Sequence, residues 1–169
     1  MSFRNTNSWK ISLLLNAAVI AFSLAMPISY ALAEPYDITD CSSGTYTIHS
    51  ESKEMTIMSF ESRGISRANH ENRAFDNCTL FYVGVARITP QKTTAQGYTK
   101  YLDPDGDYVI MESIREGSET TMTFLHGTGK WKGIQGGGKH RRITSGKPIA
   151  PGTSQICARH TGTFELPKK

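Results

Sequence analysis

From Gly44 onward the chain alternates apolar and polar side chains with a period of two. Thr45–His49 alternates, and so does Met55–Ser62 (MTIMSFES). Cys78–Ile88 (CTLFYVGVARI) is rich in β-branched and aromatic residues around Gly84. Tyr98–Leu102, Asp107–Ile114, Thr120–His126 and Ile156–Leu166 continue the pattern. Such side chains fit a pleated, half-buried surface, so these segments are predicted strands. Turn chemistry separates them. In Asp103-Pro104-Asp105-Gly106-Asp107 the proline presets φ, and Asp-Gly permits a positive φ in a tight hairpin. Arg115-Glu116-Gly117-Ser118 is a second turn, and the glycines between Gly127 and Gly138 mark a bend-rich hairpin around Trp131. No apolar 3.6-residue period runs beyond two turns. About eight strands with short connections and no crossover helices predict an all-β fold, a single antiparallel β-barrel of about eight strands, with a small sandwich as the alternative. Closure removes exposed sheet edges, and Gly64 and Gly84 suit sharp bends in a curved sheet.

The N-terminus follows a different rule. Arg4 and Lys10 give a positive start, Ile11–Ala25 is apolar, and Ala31-Leu32-Ala33 offers small residues for a signal peptidase. The apolar run is about 15 residues, short of the roughly 20 a membrane-spanning helix needs. Residues 1–33 are therefore expected to be a cleavable signal peptide and 34–169 the barrel domain, exported to a periplasmic or secreted location. No stable membrane insertion is expected after cleavage.

The whole chain carries 19 basic and 15 acidic side chains, and Arg4 and Lys10 leave with the leader. A net charge that small gives no case for nucleic acid as a partner. A local basic cluster (Lys130, Lys132, Lys139, His140, Arg141, Arg142 and Lys147) reads as a solvated hairpin rim, or as an interaction surface. Cys41, Cys78 and Cys157 all lie past the leader, and an oxidising compartment favours one disulfide with one thiol left over. Three pairings are possible. In an up-and-down order Cys41 precedes the first predicted strand and Cys78 opens the third, at one end, whereas Cys157 opens a late even strand at the other. This leans to Cys41–Cys78. No zinc-ligand spacing occurs, and the alternation of strand faces separates His160 from Cys157, three residues before it. The Asp103, Asp105, Asp107 cluster has its glycine too early for an EF-hand loop and reads as a plain turn. No cofactor and no metal are implied.

The run His126-Gly127-Thr128-Gly129-Lys130-Trp131-Lys132-Gly133-Ile134-Gln135-Gly136-Gly137-Gly138 resembles a late hairpin of the allene oxide cyclase-like and dirigent-like barrels, and most closely bacterial exported proteins that share it. The resemblance covers about a dozen residues and implies the barrel, with Trp131 as a large plug around which glycines let the strand bend. Cyclases of that kind use a pocket glutamate, and dirigent proteins use acidic, tyrosine or arginine side chains in the cavity. No flanking motif maps those residues onto this chain.

Charged residues inside strands are the remaining candidates for a lumen. Glu61 and Arg63 share one strand face, Arg87 sits in an apolar segment, and Glu112 shares a face with Tyr108 and Ile110. An inward Glu61 or Glu112 must be paired or protonated, which would suit a general acid or base, with Arg63 or Arg87 as partner. Arg63, Arg87, Tyr108 and Trp131 are the candidate ligand-binding residues. The expected function is an exported barrel binding a small apolar or amphipathic ligand in its lumen. The alternatives are an isomerase or cyclase with a lumen carboxylate, and an interaction module using the basic hairpin. Nucleophile-elbow, phosphate-loop and dinucleotide signatures are absent, which argues against an enzyme.

Overall fold

A computed structural model describes residues 32–168, so all of the expected leader but its last two residues lies outside the described residues. Eight strands form one closed antiparallel barrel in chain order: β1 (Glu34–Glu51), β2 (Thr56–Ala68), β3 (Thr79–Ile88), β4 (Thr93–Leu102), β5 (Tyr108–Glu116), β6 (Glu119–Gly127), β7 (Gln135–Gly146) and β8 (Thr153–Glu165). Each strand pairs with its successor, and β1 pairs with β8 to close the wall. The all-β barrel read from the alternation is the observed fold.

Alternation sorts the side chains. Tyr36, Ile38 and Asp40 of β1 point in, and so do Leu80, Tyr101, Val109, Met111, Met122, Phe124, Ala158, His160 and Phe164. The odd-numbered ends of β1, β3, β5 and β7 gather at one end of the barrel, and that end is filled. The loop between β2 and β3 folds back into it and inserts Phe75, which stacks on Trp131 with ring centroids 4.6 Å apart and meets Phe124 at 5.5 Å and Phe164 at 5.7 Å. Among the described residues, the non-glycine positions with positive φ are Arg73, Phe75 and Asn77, all in this loop. A left-handed aromatic residue is strained, and tertiary contacts hold it there. Asp76 supplies part of that hold, accepting from the Ala68 amide at 2.9 Å and Arg67 Nε at 3.2 Å and pairing with Arg73. Ser66 Oγ donates to the Phe75 carbonyl at 2.6 Å.

The glycine-rich hairpin completes the seal. A short 3-10 turn, Gly129–Trp131, carries Trp131 into the core. The aspartates of the 103–107 turn anchor it. Asp103 Oδ2 accepts from Trp131 Nε1 at 2.9 Å and pairs with Lys130 Nζ at 2.8 Å, while Asp107 Oδ2 accepts from the Lys130 amide at 3.0 Å. Asp103 Oδ1 also takes the amides of Asp105 and Asp107, which shapes the turn itself. Gly129 (φ +48°) must be glycine, since a Cβ there would lie 1.9 Å from Asp107 Oδ1.

The disulfide corrects one expectation. Cys41 is bonded to Cys157, not to Cys78. β1 begins at Glu34, so Cys41 lies well inside the strand instead of ahead of it, and barrel closure sets it directly across from Cys157. Their Cα atoms are 4.1 Å apart, as in the closely spaced pairs of an antiparallel ladder. The bridge therefore crosses the seam between the first and last strands, where Arg159 Nε also donates to Asp37 at 2.8 Å. Cys78 is a free, buried thiol on the inner side of the plugged end. Burial pushes its pKa up to about 11, which keeps it in the thiol form near neutral pH.

Candidate functional site

The other end of the barrel is open. A cavity of about 510 Å³ runs inward from it, within the range of small-molecule sites. Met58, Phe60, Leu80, Ala86, Ala95 and Ile156 give it apolar walls. Its floor rests on the packed end and is polar, formed by Asp40, Tyr101, His160 and Met122.

The floor side chains form a chain of contacts. Tyr101 donates its hydroxyl to Asp40 Oδ2 at 2.5 Å, His160 Nε2 lies 3.1 Å from the same oxygen, and His160 Nδ1 lies 2.8 Å from Met122 Sδ. Two lone pairs would repel at that last distance, so Nδ1 carries the proton and donates to sulfur. In the neutral ring Nε2 is then an acceptor for a proton on Asp40, whereas an imidazolium would donate from both nitrogens. Burial favours the neutral ring. It pushes the Asp40 carboxyl up to about 7, against the lowering effect of the Tyr101 hydrogen bond. It pushes His160 down to about 3, helped by the neighbouring His140. Below about pH 7 burial thus favours a single proton on the carboxyl over an imidazolium. Tyr101 is raised well above its ordinary value, first by burial and then by Asp40. Asp40 Oδ1 and the Tyr36 hydroxyl are buried there without a hydrogen-bond partner.

His140 sits opposite His160 on the β7–β8 ladder, with ring centroids 4.8 Å apart. Above it, toward the mouth, Arg115 and Arg142 line the cavity. Burial first, then these two guanidinium groups, lower the His140 pKa. Tyr82 and Ser113 add hydroxyls to the wall, joined at 3.3 Å.

The residues chosen from the sequence fall elsewhere. Glu61 borders the cavity, but its carboxylate pairs with Arg63 at 3.0 Å on the outer face. Arg63 lies over Phe81. Arg87 is exposed on the outer face of β3. Glu112 faces out and accepts from Gln96 at 2.8 Å and Tyr98 at 3.2 Å. Tyr108 faces out, with Lys100 Nζ 4.3 Å from its ring centroid. Neither glutamate reaches the lumen, because both occupy the outward phase of their strands. Trp131 is inside, but in the plug beneath the floor. Of the basic cluster, Lys130 is held by Asp103 and Asp105, while His140 and Arg142 turn into the cavity. Asp40 and His160 were missed, yet each continues the inward phase of its strand, after Tyr36 and Ile38 and before Phe164.

No family model and no curated protein matches the sequence. Solved structures do match. The chain superposes on the pterocarpan synthase dirigent protein GePTS1 with a TM-score of 0.52 and 9% sequence identity, covering 86% of this chain and 99% of that one. A second pterocarpan synthase dirigent protein, PsPTS1, gives a TM-score of 0.48 at 9% identity, covering 83% of this chain and 97% of that one. At such identity the likeness concerns architecture alone. The fold is that of the dirigent-like and allene oxide cyclase-like β-barrels.

Proposed function

We propose that this is an exported barrel that holds a small amphipathic molecule in its lumen. The observation that carries the reading is the cavity: one end of the barrel is sealed by aromatic side chains, and the other opens into about 510 Å³ with apolar walls and a polar floor. Export rests on the leader pattern of residues 1–33 and agrees with the disulfide. Native mass spectrometry of the protein isolated from its own exporting cells tests both parts. The expected result is a mature N-terminus at Glu34 and a bound small molecule released on unfolding. An intact leader, or a chain that carries no ligand and takes none up, contradicts the reading.

A second reading is an isomerase or cyclase. Asp40 favours it, because a protonated carboxyl linked to Tyr101 and His160 at a cavity floor can give and take back a proton near neutral pH. A recovered ligand that the wild type converts and the Asp40→Asn protein binds unchanged supports the enzyme. A ligand converted by neither supports the carrier.

A further inference from the structure

The mouth of the lumen is cationic on one side. Arg115 is the penultimate residue of β5, and Arg142 stands across β6 from it on β7. Both line the cavity, and both act on the His140 ring between them and the floor. The arginine ion pairs among the described residues lie on the outer face or in the plug loop: Arg63 with Glu61, Arg67 and Arg73 with Asp76, Arg159 with Asp37. Arg115 and Arg142 pair with no carboxylate among the described residues. Arg115 Nε is occupied by the Gly117 carbonyl at 2.8 Å, which fixes the side chain and leaves its terminal nitrogens for another acceptor. The deep end is arranged differently: the Asp40 carboxyl there already accepts from Tyr101 at 2.5 Å and lies 3.1 Å from His160 Nε2. Between the two lie the apolar walls.

We propose that Arg115 and Arg142 form a carboxylate-binding subsite, so that the lumen takes amphipathic carboxylic acids head-outward, with the apolar body directed at the Asp40–His160 floor. This deepens the lumen reading above and depends on it. Planar guanidinium groups grip carboxylates through paired, charge-assisted hydrogen bonds, and a half-enclosed mouth screens those bonds less than open water does. The head must lie at the mouth, since a carboxylate pushed to the floor would lose its water and crowd the buried Asp40 carboxyl.

Isothermal titration calorimetry with matched acids and alcohols tests it: decanoic acid with decanol, and cinnamic acid with cinnamyl alcohol. The expected result is that at least one acid binds about tenfold or more tightly than its alcohol, and that Arg142→Gln weakens the acid about tenfold while leaving the alcohol unchanged. Arg115→Gln should behave alike, and the acid's affinity should fall with salt. The Arg142 side chain is exposed and makes no hydrogen bond or ion pair among the described residues, so its loss should leave the fold intact. Equal binding of acid and alcohol, or an acid affinity that Arg142→Gln does not change, overturns the subsite and leaves the lumen reading standing. Failure of all four compounds to bind overturns both.

Discussion

The two ends of this barrel are built from the same eight strands and do opposite things. At the end where β1 starts, a folded-back loop and the glycine-rich hairpin drive Phe75 and Trp131 into the lumen, where they pack with Tyr36, Phe124 and Phe164. At the end where β1 finishes, short hairpins leave the lumen open, and side chains of moderate size line it. A barrel of eight strands has just enough room inside to be filled or to hold one small molecule. Here the two solutions are stacked, and the interface between them is the layer of Asp40, Tyr101 and His160. Side-chain packing fills one end and leaves the other as an open cavity.

That division can be broken most severely at the plug. Phe75→Ala or Trp131→Ala removes a buried aromatic and should lower unfolding free energy by about 3–5 kcal/mol, read by chemical denaturation. Next is the seam. Replacing Cys41 and Cys157 with serine should lower stability by about 2–5 kcal/mol, since the bridge closes a loop of sequence separation 116. The same two changes should leave ligand affinity unaltered, because the sulfurs lie on the outer face.

The boundary layer gives a sharper test through pH. The folded Asp40 pKa of about 7 exceeds its ordinary value of 3.8, so between these values the folded protein holds a proton that the unfolded chain has lost, and stability falls as pH rises. His160 has the reverse sign. From about 3 to 6.5 its unfolded form is protonated and its folded form is not, so stability rises with pH. The two slopes cancel between about pH 4 and 6.5, where the pair keeps one proton in either state. Asp40→Asn removes one slope only. Its stability relative to wild type should climb with pH by about 1.4 kcal/mol per unit over that window. Parallel curves for the two proteins would show that Asp40 and His160 do not share a proton. At the open end the effect should be smallest: Arg142→Gln should change stability by no more than about 0.5 kcal/mol.

The alternation from Thr45 onward made the barrel legible, because a period of two fixes which residues can share a core. The closed end was partly legible as well, since Trp131 among glycines can only be a plug at a bend. The lumen floor was not. Glu34–Gly44 contains proline, two aspartates, two serines and a glycine, all poor strand formers, so it reads as a lead-in. Pairing on both sides, to β2 and β8, makes it a strand regardless. That lengthening carries Asp40 inward and Cys41 outward to Cys157. Phase, not residue type, also decided the glutamates: Glu61 and Glu112 look functional in isolation, but their neighbours Phe60, Ser62, Met111 and Ser113 take the inward positions. Phe75 sits in a polar loop where no periodicity signals burial.

Methyl-resolved NMR tests the asymmetry of the two ends most directly. With decanoic acid added, the methyl groups of Met58, Met122 and Ile156, which line the cavity, should shift in a saturable manner, and those of Met111 and Ile134, in the sealed half, should stay in place. Shifts confined to Ile65 and Ile143 on the exposed wall, or equal shifts in both halves, would contradict a lumen closed at one end and receptive at the other.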